Sequence, residues 1–498
     1  MVHLLRTTTA ALCLATPALA DLTAPQVWDN WKEMTTISGQ AMSPGREVLA
    51  NGTLTLTDVA LSLEMPEGRV SGTIPLIAMT EQGDGTVAIT LSPQYDLRMQ
   101  MTPASGESLD FTLRIAMPGM VMIASGDPGT LRHDVVAPEI QVSVVGMIVD
   151  GVPTDLDMAL TMANMTGAHT RTAGDGMAFE SRFSADTMAF AASGSDPAQS
   201  GADLTLNASF ADLLGTSAST GGGLTTLADP ARMVAAGARF DSTYSHGGGR
   251  LAMTMISPDT GTFDMVGTIA AGQHSVAMSQ EIIDYSGTVK TLDVTMAGDA
   301  LLFPENRVSL EEFGYGLKLP MTRTETLADF ALRLDLGGLD LGDLVWGAID
   351  PADALPRDPG FPLIDLSGEA RMLVDAADPA PGGSPGMPGD LYALTLNDLR
   401  LSLAGAEMTG NGAFTFDTTD PAPFGGMPAP DGTLELQMVG ANDLLDRLVR
   451  LGLIPQDQAM FGRMMMGLFA IPTGEDTLSS KIEVTRDGSV SANGQRLR

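Results

Sequence analysis

The chain has 498 residues, and its 61 acidic residues against 27 lysines and arginines give a formal net charge of −34. Such a surface repels phosphate groups, so nucleic acid is excluded as an expected partner. Cys13 is the only cysteine, which excludes disulfides within the chain and cysteine-based metal sites. The composition is 44% apolar but only 5% aromatic, with 56 glycines, which is too hydrophobic for disorder and typical of a β protein with many turns.

Residues 1–20 carry the features of a secretory signal peptide. Arg6 supplies a basic start, "AALCLA" an apolar stretch, and "ALA" at 18–20 fits the cleavage rule for small residues. The apolar run is shorter than the roughly 20 residues of a membrane-spanning helix, so we expect no transmembrane segment in the mature chain. Leu12 stands where a lipoprotein signal requires a small residue, so Cys13 is expected to leave with the signal and the mature chain to begin at Asp21.

The first element of the mature chain is predicted to be a helix over "LTAPQVWDNWKEM". Thr23 fits the N-cap position, and Gln26 three residues later completes a capping box. Trp28 and Trp31 lie on one face of this helix, which we expect to dock on a sheet.

Two distant stretches repeat one strand pattern, "LTLTDVALSL" at 54–63 and "LTLNDLRLSL" at 394–403. In the first stretch the apolar positions change parity at Thr57–Asp58, which predicts a bulge or a bend there. The second stretch makes the same change at Asn397–Asp398, and a weaker third copy makes it at Asn164.

The similarity extends into a predicted β-meander unit at 53–91 and again at 393–438. Each unit is a strand, a return strand and an Asp-Gly hairpin, "GDGTVAITL" in the first and "PDGTLELQM" in the second. Further helices are predicted at 228–236, 441–452 and 455–470, and a hairpin at 481–494. The expected fold is therefore mainly β and elongated, with repeated antiparallel meanders forming one or more large curved sheets, a few short helices and a C-terminal helix pair.

Four regions follow from this pattern. They are the signal peptide 1–20, an N-terminal β-rich region 21–225 with the first meander repeat, a middle β region 226–375 with short helices, and a C-terminal region 376–498 with the second repeat and the helix pair. The stretch 376–390 has the composition of a linker, which fits either a long hairpin loop or a domain boundary.

No catalytic, cofactor-binding or metal-binding residue is predicted, because the chain has no GxSxG elbow, SxxK motif or phosphate-binding loop. The histidines of the mature chain are expected to be separate surface residues: His133, His169, His246 and His274. His246, beside Tyr244 and Arg250, forms the one local cluster of interest. The methionines at 464–466 and Met460 suggest core packing in a helix more than a copper(I) site.

The C-terminal third carries "LGDLVWGAIDPADALPRDP", "LAGAEMTGNGAFTF", "GANDLLDRLVRLGLIPQDQA" and "SANGQRLR". These stretches resemble the domain-of-unknown-function 2125 family of alphaproteobacterial exported proteins, and "VWDNWKEM" is similar to the start of that family. The resemblance implies a periplasmic setting in a Gram-negative cell. The family has no established activity, so no residue role is transferred. At the level of fold, the repeats also resemble AsmA-like envelope proteins, which are long β grooves linked to lipid traffic.

The function we expect is that of a periplasmic, non-enzymatic binding or scaffold protein in envelope maintenance, which holds a lipid or other apolar ligand in a curved β-sheet. A structural β scaffold with envelope proteins as its only partners is one alternative, and an unrecognised hydrolase is another. No cofactor is expected. The residues expected to face inward and to line the apolar ligand are Leu54, Leu56, Leu394, Leu396, Phe414 and Phe416.

Overall fold

The structure is a computed structural model that describes residues 21–497 apart from 38, 66, 103–105, 175–176, 197–200, 222–236, 300, 302–304, 376–388 and 419–427. Strands make up 68% of it and helices 11%. The expectation of a mainly β protein with a large antiparallel sheet and a C-terminal helix pair is therefore confirmed. The predicted signal peptide and the predicted helix at 228–236 lie outside the described residues.

The strands form one sheet of antiparallel neighbours. The first nine are β1 Gln40–Ser43, β2 Arg46–Ala50, β3 Thr53–Met65, β4 Gly68–Glu81, β5 Val87–Leu91, β6 Gln94–Met101, β7 Leu109–Ala116, β8 Val121–Asp127 and β9 Thr130–Val149. The next eleven are β10 Val152–Thr154, β11 Leu156–Thr172, β12 Ala178–Asp196, β13 Ala202–Thr220, β14 Arg239–His246, β15 Gly249–Ser257, β16 Gly261–Ile269, β17 Ala271–Met278, β18 Ile282–Gly298, β19 Glu305–Pro320 and β20 Ala328–Gly337. The last eight are β21 Leu363–Met372, β22 Gly389–Leu403, β23 Ala406–Asp417, β24 Ala429–Val439, β25 Ile471–Gly474, β26 Thr477–Val484, β27 Val490–Ala492 and β28 Gln495–Arg496.

The sheet is a meander that follows the order of the chain. Long strands pair with their sequence neighbours, as β3 does with β4, β18 with β19 and β22 with β23. At five positions of the described sheet two short strands lie end to end and together pair with one long strand: β1 with β2, β5 with β6, β7 with β8, β14 with β15 and β16 with β17.

A line of backbone kinks crosses many of the strands at matching levels. Asp58, Asn164, Asp212 and Thr291 have left-handed backbones, with φ between 51° and 53°. Only glycine adopts this region freely, and aspartate and asparagine tolerate it better than other side chains. None of these four residues is paired with a residue of the neighbouring strand in the described sheet. The residue that lies opposite Asn164 is Pro138. We call this feature the kink line.

Each kink changes which alternate residues point to a given face. On β3, Leu54 and Leu56 are buried before Asp58, and Val59 is buried after it, so the apolar side stays the same across the kink. The predicted bend at Asp58 and the predicted change at Asn164 are thus confirmed. On β22 the same change occurs as a register shift between Leu396 and Leu399, as predicted at Asn397–Asp398.

The two predicted meander units have the same strand order, β3–β4–β5 and β22–β23–β24. In the first unit Asp84–Gly85 forms the turn, with Gly85 at φ 82°. In the second unit the predicted Asp431–Gly432 turn is wrong, because both residues lie inside β24. Gly432 is needed there for close approach, since a Cβ at that position would lie 2.7 Å from the Cα of Phe414.

The described structure has four helices: α1 Ala24–Ile37, α2 Gly342–Ile349, α3 Ala441–Arg450 and α4 Gln456–Phe469. At the start of α1 the backbone N–H of Thr23 donates to Gln26 Oε1 over 2.9 Å, as the predicted capping box requires. Gly452, with φ 73°, separates α3 from α4. No described helix has the length and apolar character that crossing a membrane demands.

The predicted region boundaries at 225/226 and 375/376 coincide with connections between paired strands. β13, before the first boundary, pairs directly with β14 and β15 after it. β21 and β22 pair across the second boundary. The described strands on both sides of each boundary therefore belong to one sheet.

The left-handed backbone at Asp58 gives a stability prediction. We expect Asp58→Val to lower the free energy of unfolding by about 1–2 kcal/mol relative to Asp58→Gly, because a β-branched residue is strained at positive φ. Urea unfolding followed by tryptophan fluorescence measures the difference, since Trp28 is buried beside β3. Ala60→Val, also exposed and on the same strand, is the matched control and should have a much smaller effect. Equal losses for the two valine variants would show that Asp58 is not strained.

Candidate functional site

The sheet has one apolar and one polar face. Directly opposed residues on antiparallel neighbours point to the same face, so the registers assign the sides. One row across β18–β21 consists of Tyr285, Leu317, Leu332 and Leu366. The adjacent row on the other side consists of Asp284, Lys318, Ala331 and Ser367. We call the first side the apolar face and the second the polar face.

Ion pairs between neighbouring strands cover much of the polar face. Arg333 contacts Asp365 over 2.8 Å, and Arg114 contacts Asp96 over 3.0 Å. Such exposed pairs contribute little to stability, typically below about 1 kcal/mol each. Their charges keep the polar face hydrated, so the apolar face is the side available for an apolar partner.

Helix α1 closes the apolar face at its N-terminal end. Leu22, Val27 and Trp28 pack on buried residues of β3, β4, β5, β8 and β9, and together they form the largest hydrophobic core among the described residues. Leu54 and Leu56, two of the six predicted ligand-lining residues, lie fully buried in this core. They face inward as expected, but they line a packed core and not an open groove.

The middle of the apolar face is open. Tyr285 is 43% exposed, Leu332 44% and Leu334 42%, although all three point to the apolar side of the sheet. Leu317, Leu319 and Ile364 on the neighbouring strands are exposed as well. Contiguous exposed apolar surfaces of this kind are typical of interaction sites.

The apolar face ends in a pocket at its C-terminal end. This pocket has a volume of about 550 Å³ and lies between β22–β24 and the helices α3 and α4. Leu401, Met408 and Met438 form its sheet side, and Leu444 and Met466 form its helix side. Its size and apolar lining suit one end of an apolar chain.

The other four predicted lining residues lie on the same face near this pocket. Leu394 opposes Phe414, and Leu396 opposes Gly412, on the paired strands β22 and β23. Phe416 follows on β23, and Leu394, Leu396, Phe414 and Phe416 are all half-buried. They therefore border the open part of the apolar face.

All four histidines of the described chain lie on the apolar face, in two pairs. His133 opposes His169 on β9 and β11, and the rings of His246 and His274 on β14 and β17 stack 6.2 Å apart. His133 and His246 are buried. The expectation of separate surface histidines is therefore wrong, because the strand register brings together residues that are 28 or more positions apart.

The pair His246–His274 belongs to a cluster of rings in the middle of the apolar face. Tyr244 stacks on His274 with ring centroids 6.3 Å apart, and Tyr315 stacks on the other side at 6.0 Å. Tyr285 follows at 5.1 Å from Tyr315. We call these five residues the ring cluster.

Glycines on neighbouring strands let the rings lie close to the sheet. A Cβ at Gly272 would come within 2.2 Å of His246 Nε2, and one at Gly287 within 2.5 Å of the Tyr315 hydroxyl. Glycines inside a strand often mark such close approach. The sequence signal that could have found the cluster was this alternation of glycine with histidine and tyrosine.

Hydrogen bonds connect three members of the ring cluster in a chain. His274 Nδ1 and the Tyr315 hydroxyl are 2.6 Å apart, and the Tyr315 hydroxyl donates to the Tyr285 hydroxyl over 3.1 Å. Burial together with the neighbouring Tyr285 raises the pKa of Tyr315 to about 12, and burial lowers the pKa of His274. Both pKa shifts favour the neutral forms of Tyr315 and His274.

The pair His133–His169 lies under α1 at a smaller pocket of about 270 Å³, which Met34 and Met122 also line. The Trp31 indole N–H donates to His133 Nε2 over 3.1 Å. Burial, with a smaller effect of His169, lowers the pKa of His133 to about 4. His133 therefore holds Trp31 as a neutral acceptor.

The methionines of α4 only partly follow the expected core packing. Met466 lines the C-terminal pocket, but Met460 and Met464 are 62% and 61% exposed, so for these two the prediction is wrong. Phe461 and Leu468 are exposed on the same helix. The helix also contacts α3, and these exposed residues form an apolar stripe on its surface.

Within the described residues no group of three or more His, Cys, Asp or Glu side chains could hold a metal ion. Searches of protein-family models, of curated proteins and of solved structures find nothing that matches the chain. The resemblance to the domain-of-unknown-function 2125 family stays a prediction.

The lowered pKa of His133 predicts a specific loss of stability in acid. The unfolded state takes up a proton below the ordinary histidine pKa of about 6.5, while folded His133 stays neutral down to about 4. The free energy of unfolding therefore falls as the pH drops through this window.

The variant His133→Gln keeps an acceptor for Trp31 but does not titrate. From about pH 7.5 to about pH 5, we expect the wild type to lose about 2 kcal/mol more unfolding free energy than this variant. Urea unfolding at the two pH values measures both losses. Parallel losses in the two proteins would contradict a depressed pKa at His133.

Proposed function

We propose that this protein is a periplasmic, non-enzymatic carrier that holds an apolar ligand, such as the acyl chains of a lipid, along the apolar face of its sheet. The periplasmic setting is inferred from the signal-like residues 1–20 and from the family resemblance. The proposal is carried by one observation, the exposed apolar row at Tyr285, Leu317 and Leu332 in the middle of the sheet.

An uncovered apolar face is unfavourable in water, since burial of each square ångström of apolar surface contributes about 25 cal/mol. Among the described elements, α1 packs on β1, β3 and β4, α2 contacts β19 and α3 contacts β23, while the strands of the middle keep exposed leucines such as Leu317 and Leu332. A bound chain of methylene groups would cover these leucines by simple apolar contact. This kind of contact needs no charged or catalytic group.

The dimensions of the open region suit acyl chains. Neighbouring strands are about 4.8 Å apart, so the six steps from β18 to β24 span about 29 Å. One leaflet of a bilayer core, the depth of one acyl chain, is about 15 Å thick. A chain lying across the strands would fit within the open face.

A scaffold that binds only proteins is the second candidate. The exposed stripe of Met460, Phe461 and Met464 on α4 favours it, since apolar helix faces commonly bind partner proteins. That stripe is separate from the exposed row on β18–β21. Variants in the row distinguish the two functions.

Leu332→Glu tests the carrier directly. A carboxylate in the exposed row would be buried without a partner by a bound chain, so we expect affinity for a fluorescent long-chain acyl probe to fall at least about ten-fold. The matched control is Ala331→Glu, the adjacent residue on the polar face, where Lys318 lies opposite. This control should bind like the wild type.

Fluorescence titration of the probe into the full chain gives the three dissociation constants. Because Leu332 is nearly half exposed and Ala331 is half-buried on the polar face opposite Lys318, both variants should fold, which circular dichroism checks. Equal affinity of Leu332→Glu and the wild type would exclude the apolar face as the binding surface.

A further inference from the structure

We propose that Tyr285 donates a hydrogen bond to an uncharged oxygen of the bound lipid, such as an ester carbonyl, and so fixes the position of the lipid on the apolar face. This inference rests on the proposed function. The hydrogen bond would hold the polar end of the ligand, whereas the exposed leucines would contact its acyl chains.

The directions of the hydrogen bonds in the ring cluster give the first argument. Tyr315 uses its proton to donate to Tyr285, so the Tyr315 oxygen accepts from His274 Nδ1–H. The Tyr285 oxygen accepts from Tyr315, and its own proton has no acceptor among the described residues. A phenol that already accepts a hydrogen bond is a better donor, because hydrogen bonds in a chain polarise one another.

The position of Tyr285 gives the second argument. It is 43% exposed on the apolar face, between Val276 on β17 and Leu317 on β19. A tilted ring contact with Tyr315, with centroids 5.1 Å apart, holds its side chain. The hydroxyl is therefore a polar group at an apolar surface, which a ligand oxygen would satisfy and a hydrocarbon would not.

The lack of charged residues around the ring cluster on β14 and β17–β19 indicates which chemical group of the ligand accepts the hydrogen bond from Tyr285. On the apolar face, the residues surrounding the ring cluster on β14 and β17–β19 are apolar, glycine or serine. The raised pKa of Tyr315 and the lowered pKa of His274 keep both neutral. A phosphate or carboxylate would lose its hydration without gaining a counter-charge, whereas an ester carbonyl has little hydration to lose.

The spacing along the sheet is consistent with this placement. Tyr285 on β18 and Leu396 on β22 lie in one row, four strand steps or about 19 Å apart. This distance is close to the roughly 15 Å depth of one leaflet, so a chain whose carbonyl binds Tyr285 would lie along the row from Leu317 toward Leu396.

The test compares two phosphocholine lipids with the same chains, one ester-linked and one ether-linked, the latter without carbonyl groups. Each is presented in phosphocholine vesicles to the full chain, and the protein-bound lipid is quantified after separation. We expect the wild type to favour the ester-linked lipid about five-fold, the effect of one hydrogen bond. Tyr285→Phe should lose this preference and bind the ether-linked lipid as the wild type does.

Tyr244→Phe is the matched control, since Tyr244 stacks in the same cluster but takes no part in the hydrogen-bond chain, and it should keep the preference. Infrared spectra of lipid with ¹³C-labelled carbonyls should show a hydrogen-bonded carbonyl band with the wild type and not with Tyr285→Phe. Equal binding of both lipids by the wild type, or a preference retained in Tyr285→Phe, would overturn this inference and leave the carrier function standing. Failure of both lipids to bind would overturn the carrier function itself.

Discussion

The architecture depends on the kinks that keep the same side of each strand apolar along its whole length. A strand that simply alternated past Asp58 or Asn164 would place half of its apolar residues on the polar face. The left-handed residues of the kink line, with Asp212 and Thr291 further along the sheet, correct this at matching levels. The apolar face therefore extends across both halves of these strands and through the order of the sheet.

The apolar face is broad, and no second sheet among the described residues covers it. Helix α1 covers one end and builds a closed core around Trp28. Helices α3 and α4 cover the other end incompletely and leave a pocket beside Met466. Between them the face is open around Leu332, and its most polar feature is the ring cluster. A closed end, an open middle and a pocket form an arrangement that can hold a chain-like ligand by apolar contacts alone.

Local sequence signals predicted the local features well. The parity changes at Asp58 and Asn164 and the cap at Thr23 could be read because each depends on residues within a few positions. The kinks at Asp212 and Thr291, which lie on the long strands β13 and β18, were missed. Long-range features could not be read. Whether His246 meets His274 depends on strand register, and whether Leu56 is buried while Leu332 is open depends on where α1 packs.

The openness of the apolar face to acyl chains is tested most directly by native mass spectrometry with lipid extraction on the protein purified without detergent. Our account predicts a lipid or another species with long apolar chains bound to the folded protein. It also predicts that Leu332→Glu releases this species and that Ala331→Glu retains it. A clean mass of the protein alone, unchanged after incubation with lipid vesicles, would contradict the account and leave the protein-binding scaffold as the better explanation.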